Sequence, residues 1–153
     1  AWHAGKSKWK NNTNINDYSI GIELENRGHD FGYSNYSKKQ YSSLKILIFF
    51  LKKNFYILDK DIIYHSDIAP NRKQDPGEKF LIKKIGIKRF FRKKNKRNYN
   101  LNEMLHLYGF HKSYIKKYKI FCIMAVKRSL NYINITPNES KKFKKDFYNL
   151  LFN

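Results

Sequence analysis

Acidic residues are scarce in this chain. Of 153 residues, 12 are Asp or Glu against 32 Lys or Arg, giving a formal net charge of +20. A field of that sign excludes polycations as partners and attracts anions: nucleic acid, anionic lipid or an acidic polymer. Lys, Asn, Ile, Tyr and Phe are all abundant, however, and A/T-rich codon usage would raise Lys without any polyanion being involved. Only Lys83–Arg97 forms a dense basic run. Cysteine is nearly absent. Cys122 stands alone, which excludes an internal disulfide, and its apolar setting IFCIMAV marks it as a core residue. Long apolar runs are missing as well. Ile46–Leu51 and Ile120–Val126 fall far short of the roughly 20 residues that cross a bilayer. No signal-peptide pattern is visible. The sequence opens on Ala1 rather than Met, so the expectation is that an N-terminal part has been removed or lies outside the sequence.

What is present supports a folded domain. Apolar residues make up 41% and aromatics 17%, enough for a core and too much for wholesale disorder. Trp2 and His3 suit a short strand or its end, and Lys6–Asn16 reads as a polar loop. Ser19–Glu25 (SIGIELE) alternates, with Ile20, Ile22 and Leu24 on one face and Gly21, Glu23 and Glu25 on the other, which predicts a half-buried strand. Ser37 and Gln40 form a capping box. Tyr41, Leu44, Ile48, Leu51 and Phe55 then follow at helical spacing, and Ile46, Leu47, Phe49 and Phe50 widen that face, so a helix covered on more than one side is expected. Asp61–Tyr64 predicts a short buried strand ending at His65, and Glu78–Ile85 a short helix. After a basic linker, three helices are expected. Leu101–Tyr108 is stopped by Gly109. Tyr114–Leu130 has Ile115, Tyr118, Cys122, Ala125 and Val126 inward. The third is capped by Thr136 with Pro137 and Glu139, with Phe143, Phe147 and Leu150 inward.

The chemistry concentrates in His65–Gly77, HSDIAPNRKQDPG. It holds a His, an Asp ten residues later, a Lys two residues before that Asp, and two prolines that stiffen the loop. His65 and Asp75 are zinc ligands by residue type. A catalytic zinc ion takes three protein ligands and a water whose pKa it lowers to about 7. Glu23, on the polar face of a neighbouring strand, is the natural base for that water, and Lys73 is placed to stabilise an oxyanion. A His–Asp pair also occurs as an ordinary surface hydrogen bond, and spacing alone leaves that reading open.

The motifs AWHAG, NDYSIGIELEN and HSDIAPNRKQDPG, in this order, closely resemble those of the type 2 N-acetylmuramoyl-L-alanine amidases. These are bacterial zinc amidases related to the peptidoglycan recognition proteins. The resemblance covers about Ala1–Ile85. It implies an α/β fold, a mixed β-sheet flanked by helices, here followed by a small three-helix C-terminal bundle. It implies Zn2+ as cofactor and peptidoglycan or muropeptides as partners. The reaction implied is hydrolysis of the amide between N-acetylmuramic acid and L-alanine, in cell-wall degradation or recycling. His65 and Asp75 would match two metal ligands, Glu23 the residue activating water, and Lys73 the residue stabilising the oxyanion. Trp2, His3 and Asn16 would lie near the substrate groove.

The family's first zinc ligand is a His upstream of AWHAG, and no residue here occupies that position. The expected layout is an N-terminally incomplete amidase domain over residues 1–88, a basic linker over 89–100, and helices over 101–153. The helical part weakly resembles a peptidoglycan-binding domain, with a generic helical cap as the other reading. That tail points to the periplasm or envelope, with the cytoplasm as the alternative. A truncated, inactive chain that only binds peptidoglycan is the competing functional reading. Nucleic acid is not expected as a partner, because no recognised nucleic-acid motif accompanies the basic run.

Overall fold

Helices and loops, with very little ladder, make up this structure. It is a computed structural model that describes residues 2–90 and 97–152. Residues 91–96, and with them the middle of the expected linker and part of the basic run, lie outside the described residues, as does Ala1 of the first motif. Strands β1 (Lys8–Trp9) and β2 (Asn12–Thr13) form an antiparallel hairpin in the register Lys8↔Thr13 and Trp9↔Asn12. Helices follow at Lys38–Phe55 (α1), His65–Ile68 (α2), Leu101–Tyr108 (α3), Lys112–Ser129 (α4) and Lys141–Leu151 (α5).

α1 starts where its sequence says. The Ser37 hydroxyl accepts from the Gln40 amide at 3.1 Å, and the Gln40 side-chain oxygen accepts from the Ser37 amide at 2.8 Å. Tyr41, Leu44 and Ile48 bury against Tyr64, Phe80, Ile85 and Ile87 in one small core. The second covering expected for this helix does not form. Ile46 is 72% exposed, Phe49 70% and Phe50 57%. At 100° per residue these three point away from the Tyr41–Leu44–Ile48 stripe, and the described chain packs only against that stripe.

The two longer predicted strands are not formed either. Neither Ser19–Glu25 nor Asp61–Tyr64 carries a ladder among the described residues. A strand is held by its neighbour, and alternation alone does not supply one. Ile20 and Ile22 are accordingly 49% and 38% exposed instead of buried. His65 is therefore delivered at the start of one helical turn rather than at a strand end, and the predicted helix over Glu78–Ile85 shrinks to a 3-10 turn at Ile82–Ile85.

The helical tail matches its sequence more closely. The Asn100 side chain accepts from the Glu103 amide at 3.0 Å and starts α3, and Gly109 ends it with φ of 134°. Any side chain at Gly109 would collide with the Trp9 ring, so the hairpin and α3 meet at that glycine. α4 bends at Tyr118. α5 begins at Ser140, whose hydroxyl accepts from Phe143, and not at Thr136. The Thr136 and Asn138 carbonyls instead accept from Lys127 Nζ at 2.7 and 2.8 Å. Inward on α5 are Phe143, Phe147 and Leu151, with Leu150 only partly buried.

The larger core joins the two ends of the chain. Ala4, Trp9, Ile15, Ile68 and Ala69 pack with Leu105, Tyr108, Cys122, Val126, Phe143 and Phe147. At its edge lies a buried charge pair. The Asp67 carboxylate, fully buried, accepts from Arg89 at 2.5 Å, from the Tyr108 hydroxyl at 2.7 Å and from the Tyr64 amide at 2.8 Å. The Arg89 guanidinium stacks over Tyr64, with Phe90 and Tyr108 also within reach. Removing the cation strands the carboxylate without water. Arg89→Ala is expected to lower unfolding stability by about 3–5 kcal/mol, measured as a fall in the urea midpoint without a change in slope.

Candidate active site

His65 opens α2 because the Asp67 side chain closes the turn on the Tyr64 amide. The chain then doubles back. The Ala69 carbonyl accepts from the Arg72 and Lys73 amides, and the Ser66 amide donates to the Asp75 carbonyl at 3.0 Å. That return sets the Asp75 carboxylate 3.0 Å from His65 Nδ1, while His65 Nε2 faces the Ala4 carbonyl at 3.4 Å. Burial by itself pushes the Asp75 carboxyl up. The hydrogen bond and charge of His65, with the charge of Lys73, outweigh it and hold the group below the ordinary carboxylate value.

Three further residues pin this loop. Arg72 donates to the Ala4 carbonyl at 3.2 Å and to the Lys6 carbonyl at 2.6 Å. The Tyr33 and Tyr36 hydroxyls both donate to the Pro76 carbonyl, at 2.7 and 2.9 Å. The sequence reading did not single these out, although Arg72 lies within the motif. The tyrosines carry no local signal, because their target is some 40 positions away.

The N-terminal segment is fastened separately. The Asn16 side-chain oxygen accepts from the His3 and Ala4 amides at 2.9 and 2.8 Å, and its amide donates to the Gly5 carbonyl at 3.3 Å. Asn16 is thus the clasp that shapes the first motif. The Ser19 hydroxyl donates to the Ile15 carbonyl at 2.6 Å and accepts from His3 Nε2 at 2.8 Å. Gly21 lies directly under the His3 ring, and a Cβ there would stand 2.6 Å from His3 Cγ. The glycine of the SIGIELE segment is therefore a site of close approach.

Between these elements lies a cavity of about 630 Å³. Its lining brings together His3, Glu23, His65 and Asp75 over an apolar wall that includes Leu44, Ile48 and Phe80. Such a volume and mix of groups suit a bound organic ligand. Trp2, Asn16 and Lys73 do not line it. Trp2 is 89% exposed, Asn16 is engaged in its clasp, and Lys73, half-buried, exerts its charge on Asp75.

His65 and Asp75 fit two positions of a metal site in donor type and convergence. Among the described residues no group of three His, Cys, Asp or Glu side chains gathers around one point.

Comparison with known proteins shows what this loop, cavity and fold resemble. A family model described as N-acetylmuramoyl-L-alanine amidase matches residues 1–78. The N-acetylmuramoyl-L-alanine amidase AmiD of Escherichia coli is 42% identical over 85 residues, covering 52% of this chain and 31% of AmiD. The crystal structure of AmpDH3 from Pseudomonas aeruginosa superposes with a TM-score of 0.76 at 27% identity, covering 98% of this chain and 68% of that one. E. coli AmiD bound to anhydro-N-acetylmuramic acid-L-Ala-D-γ-Glu-L-Lys gives a TM-score of 0.75 at 26% identity, over 99% of this chain and 67% of AmiD. The chain belongs to the N-acetylmuramoyl-L-alanine amidase family, as its three motifs led one to expect. It spans about a third to two fifths of the length of the curated relatives it matches and about two thirds of the solved chains. Nearly the whole chain superposes, tail included, although the sheet contributed by the described residues is only the hairpin.

The contact under His3 generates a direct test. Gly21→Ala is expected to push the imidazole off Ser19 and to cost about 1–3 kcal/mol of stability. Loss of the His3–Ser19 hydrogen bond would be read from the imidazole nitrogen chemical shifts.

Proposed function

We propose that this chain carries the catalytic face of a zinc-dependent amidase acting on peptidoglycan or muropeptides. The bond cleaved joins N-acetylmuramic acid to L-alanine. The observation that carries this reading is the 3.0 Å approach of His65 to Asp75 on the wall of a cavity that Glu23 also lines. His65 and Asp75 would hold the ion, which when bound supplies Lewis-acid activation of water and of the scissile carbonyl. Glu23 takes a proton from the attacking water oxygen and returns it to the departing amine nitrogen. Water adds to the carbonyl carbon, the C–N bond breaks, and a muramic carboxylate and a free peptide amine result. Lys73 acts on Asp75 from outside the cavity lining, and the oxyanion role that the family resemblance implies for it requires its ammonium to reach in when substrate binds. The apolar wall excludes water from the reacting amide.

The anhydro-muramyl peptide bound in the E. coli AmiD complex supports a muropeptide of that kind as ligand. Its peptide carboxylates suit the net charge of +20. For the helical tail we favour the cap reading, because α3–α5 share one core with Trp9 and Ile68. Polymer binding by its outer face is compatible with that role. A site of action in the periplasm or envelope is our proposal, with the cytoplasm as alternative.

The test is release of free stem peptide from an anhydro-muramyl peptide, followed by mass spectrometry alongside zinc content. Glu23→Ala is expected to lower turnover by about 10²–10⁴-fold while peptide binding persists. Full turnover in that variant would remove Glu23 from the mechanism. Lys73→Ala should depress kcat by about 10²–10³-fold with little change in KM, and an effect confined to KM would contradict its role. Binding of the peptide with neither zinc uptake nor release would replace the amidase reading by a non-catalytic peptidoglycan binder.

A further inference from the structure

The outer face of α1 is exposed among the described residues. Along it lie Lys39, Ser42, Ser43, Ile46, Phe49, Phe50 and Lys53, spaced three and four apart, so they share one side of the helix. All seven are exposed, and the three apolar residues lie at the centre of the strip. Just past the helix, Tyr56 and Leu58 are also exposed. Lys38 and Lys45 flank the strip, and no Asp or Glu occurs anywhere between Lys38 and Phe55. The nearest carboxylate beyond it, Asp59, is paired with Lys52.

We propose that this face docks α1 onto an anionic lipid bilayer surface, with the helix axis in the plane of the headgroups. The charge pattern selects this occupant. A convex apolar ridge ending in lysines and free of acidic residues matches a deformable surface carrying negative headgroups over an apolar interior. Phe49, Phe50 and Ile46 reach the acyl boundary, while Lys39 and Lys53 keep their ammonium groups at the phosphates by extending along their stems. The buried stripe Tyr41–Leu44–Ile48 stays on the protein, so docking requires no unfolding. No helix among the described residues is long and apolar enough to cross a membrane, and this mode of binding needs none. The inference is independent of the catalytic reading.

The experiment is co-sedimentation of the full chain with vesicles of phosphatidylcholine alone or mixed with phosphatidylglycerol. A charge of +20 adsorbs to anionic vesicles through any face, so the deciding variant is Ile46→Ser/Phe49→Ser/Phe50→Ser, which leaves the charge unchanged. Its fold is checked by circular dichroism and thermal unfolding. Wild type is expected to sediment with the mixed vesicles only, and the triple variant to partition at least about tenfold more weakly. A separate Phe49→Trp variant should show a blue-shifted emission quenched by bromine-labelled acyl chains. Equal partitioning of wild type and triple variant, or no quenching, overturns the proposal. So does a vesicle-free dimer in sedimentation velocity that the triple variant abolishes, since the strip would then be covered by a second copy of this chain.

Discussion

The buried Asp67 carboxylate is the constraint on which the rest of the arrangement depends. Two residues from His65, it is sealed from water and must be satisfied by donors from elsewhere. Arg89 supplies the charge, Tyr108 on α3 a hydroxyl, and the Tyr64 amide a local bond. The same contacts that neutralise a buried charge therefore define the turn that presents His65 and join it to the helical tail. The tail is tied to the site by an electrostatic requirement as well as by apolar packing.

Around that anchor the site is assembled by backbone capture. Carbonyls of Ala4, Lys6 and Pro76 are each claimed by a side-chain donor from another part of the chain, while those of Ala69 and Asp75 close turns within the loop. Asn16 does the same for the amides of His3 and Ala4. Short loops held this way are rigid without regular structure, which suits a site that must keep a His and an Asp within 3.0 Å. The segment over Ser19–Glu25 bounds the cavity beside them and is tied to α1 where the Gln40 side-chain amide donates to the Glu25 carbonyl at 2.7 Å.

Much of the fold was legible before the structure. Ser37–Gln40 named the start of α1, Leu101–Tyr108 and Gly109 named α3, and Cys122 was read as core, all from local rules of capping, spacing and polarity. The three motifs led to the family. What misled was alternation without a partner. SIGIELE and DIIY have strand patterns, yet backbone pairing is non-local, and the described chain offers them none. Thr136-Pro137-Asn138-Glu139 has the residues of a helix start, but Lys127 takes the Thr136 and Asn138 carbonyls and the helix waits until Ser140. The apolar width of α1 was read as burial, whereas half of it faces outward. The structure lines one cavity with His65, Asp75 and Glu23, candidates that were named from residue type and motif. Arg72, Tyr33 and Tyr36, which hold their loop in place, were not so named.

The sequence by itself determined the helix caps, the apolar faces of the tail helices, the family and the candidates for the groups that carry chemistry. Each of these depends on residues within a turn or two of one another, or on a motif that can be read in one dimension. Only the tertiary structure decided that His65 and Asp75 meet, that His3 and Glu23 share a cavity with them, that Asn16 is a clasp, and that the two ends of the chain form one core. Those outcomes rest on contacts across tens of residues, made where buried carbonyls and a buried carboxylate must find donors. No local pattern states which distant side chain will supply them.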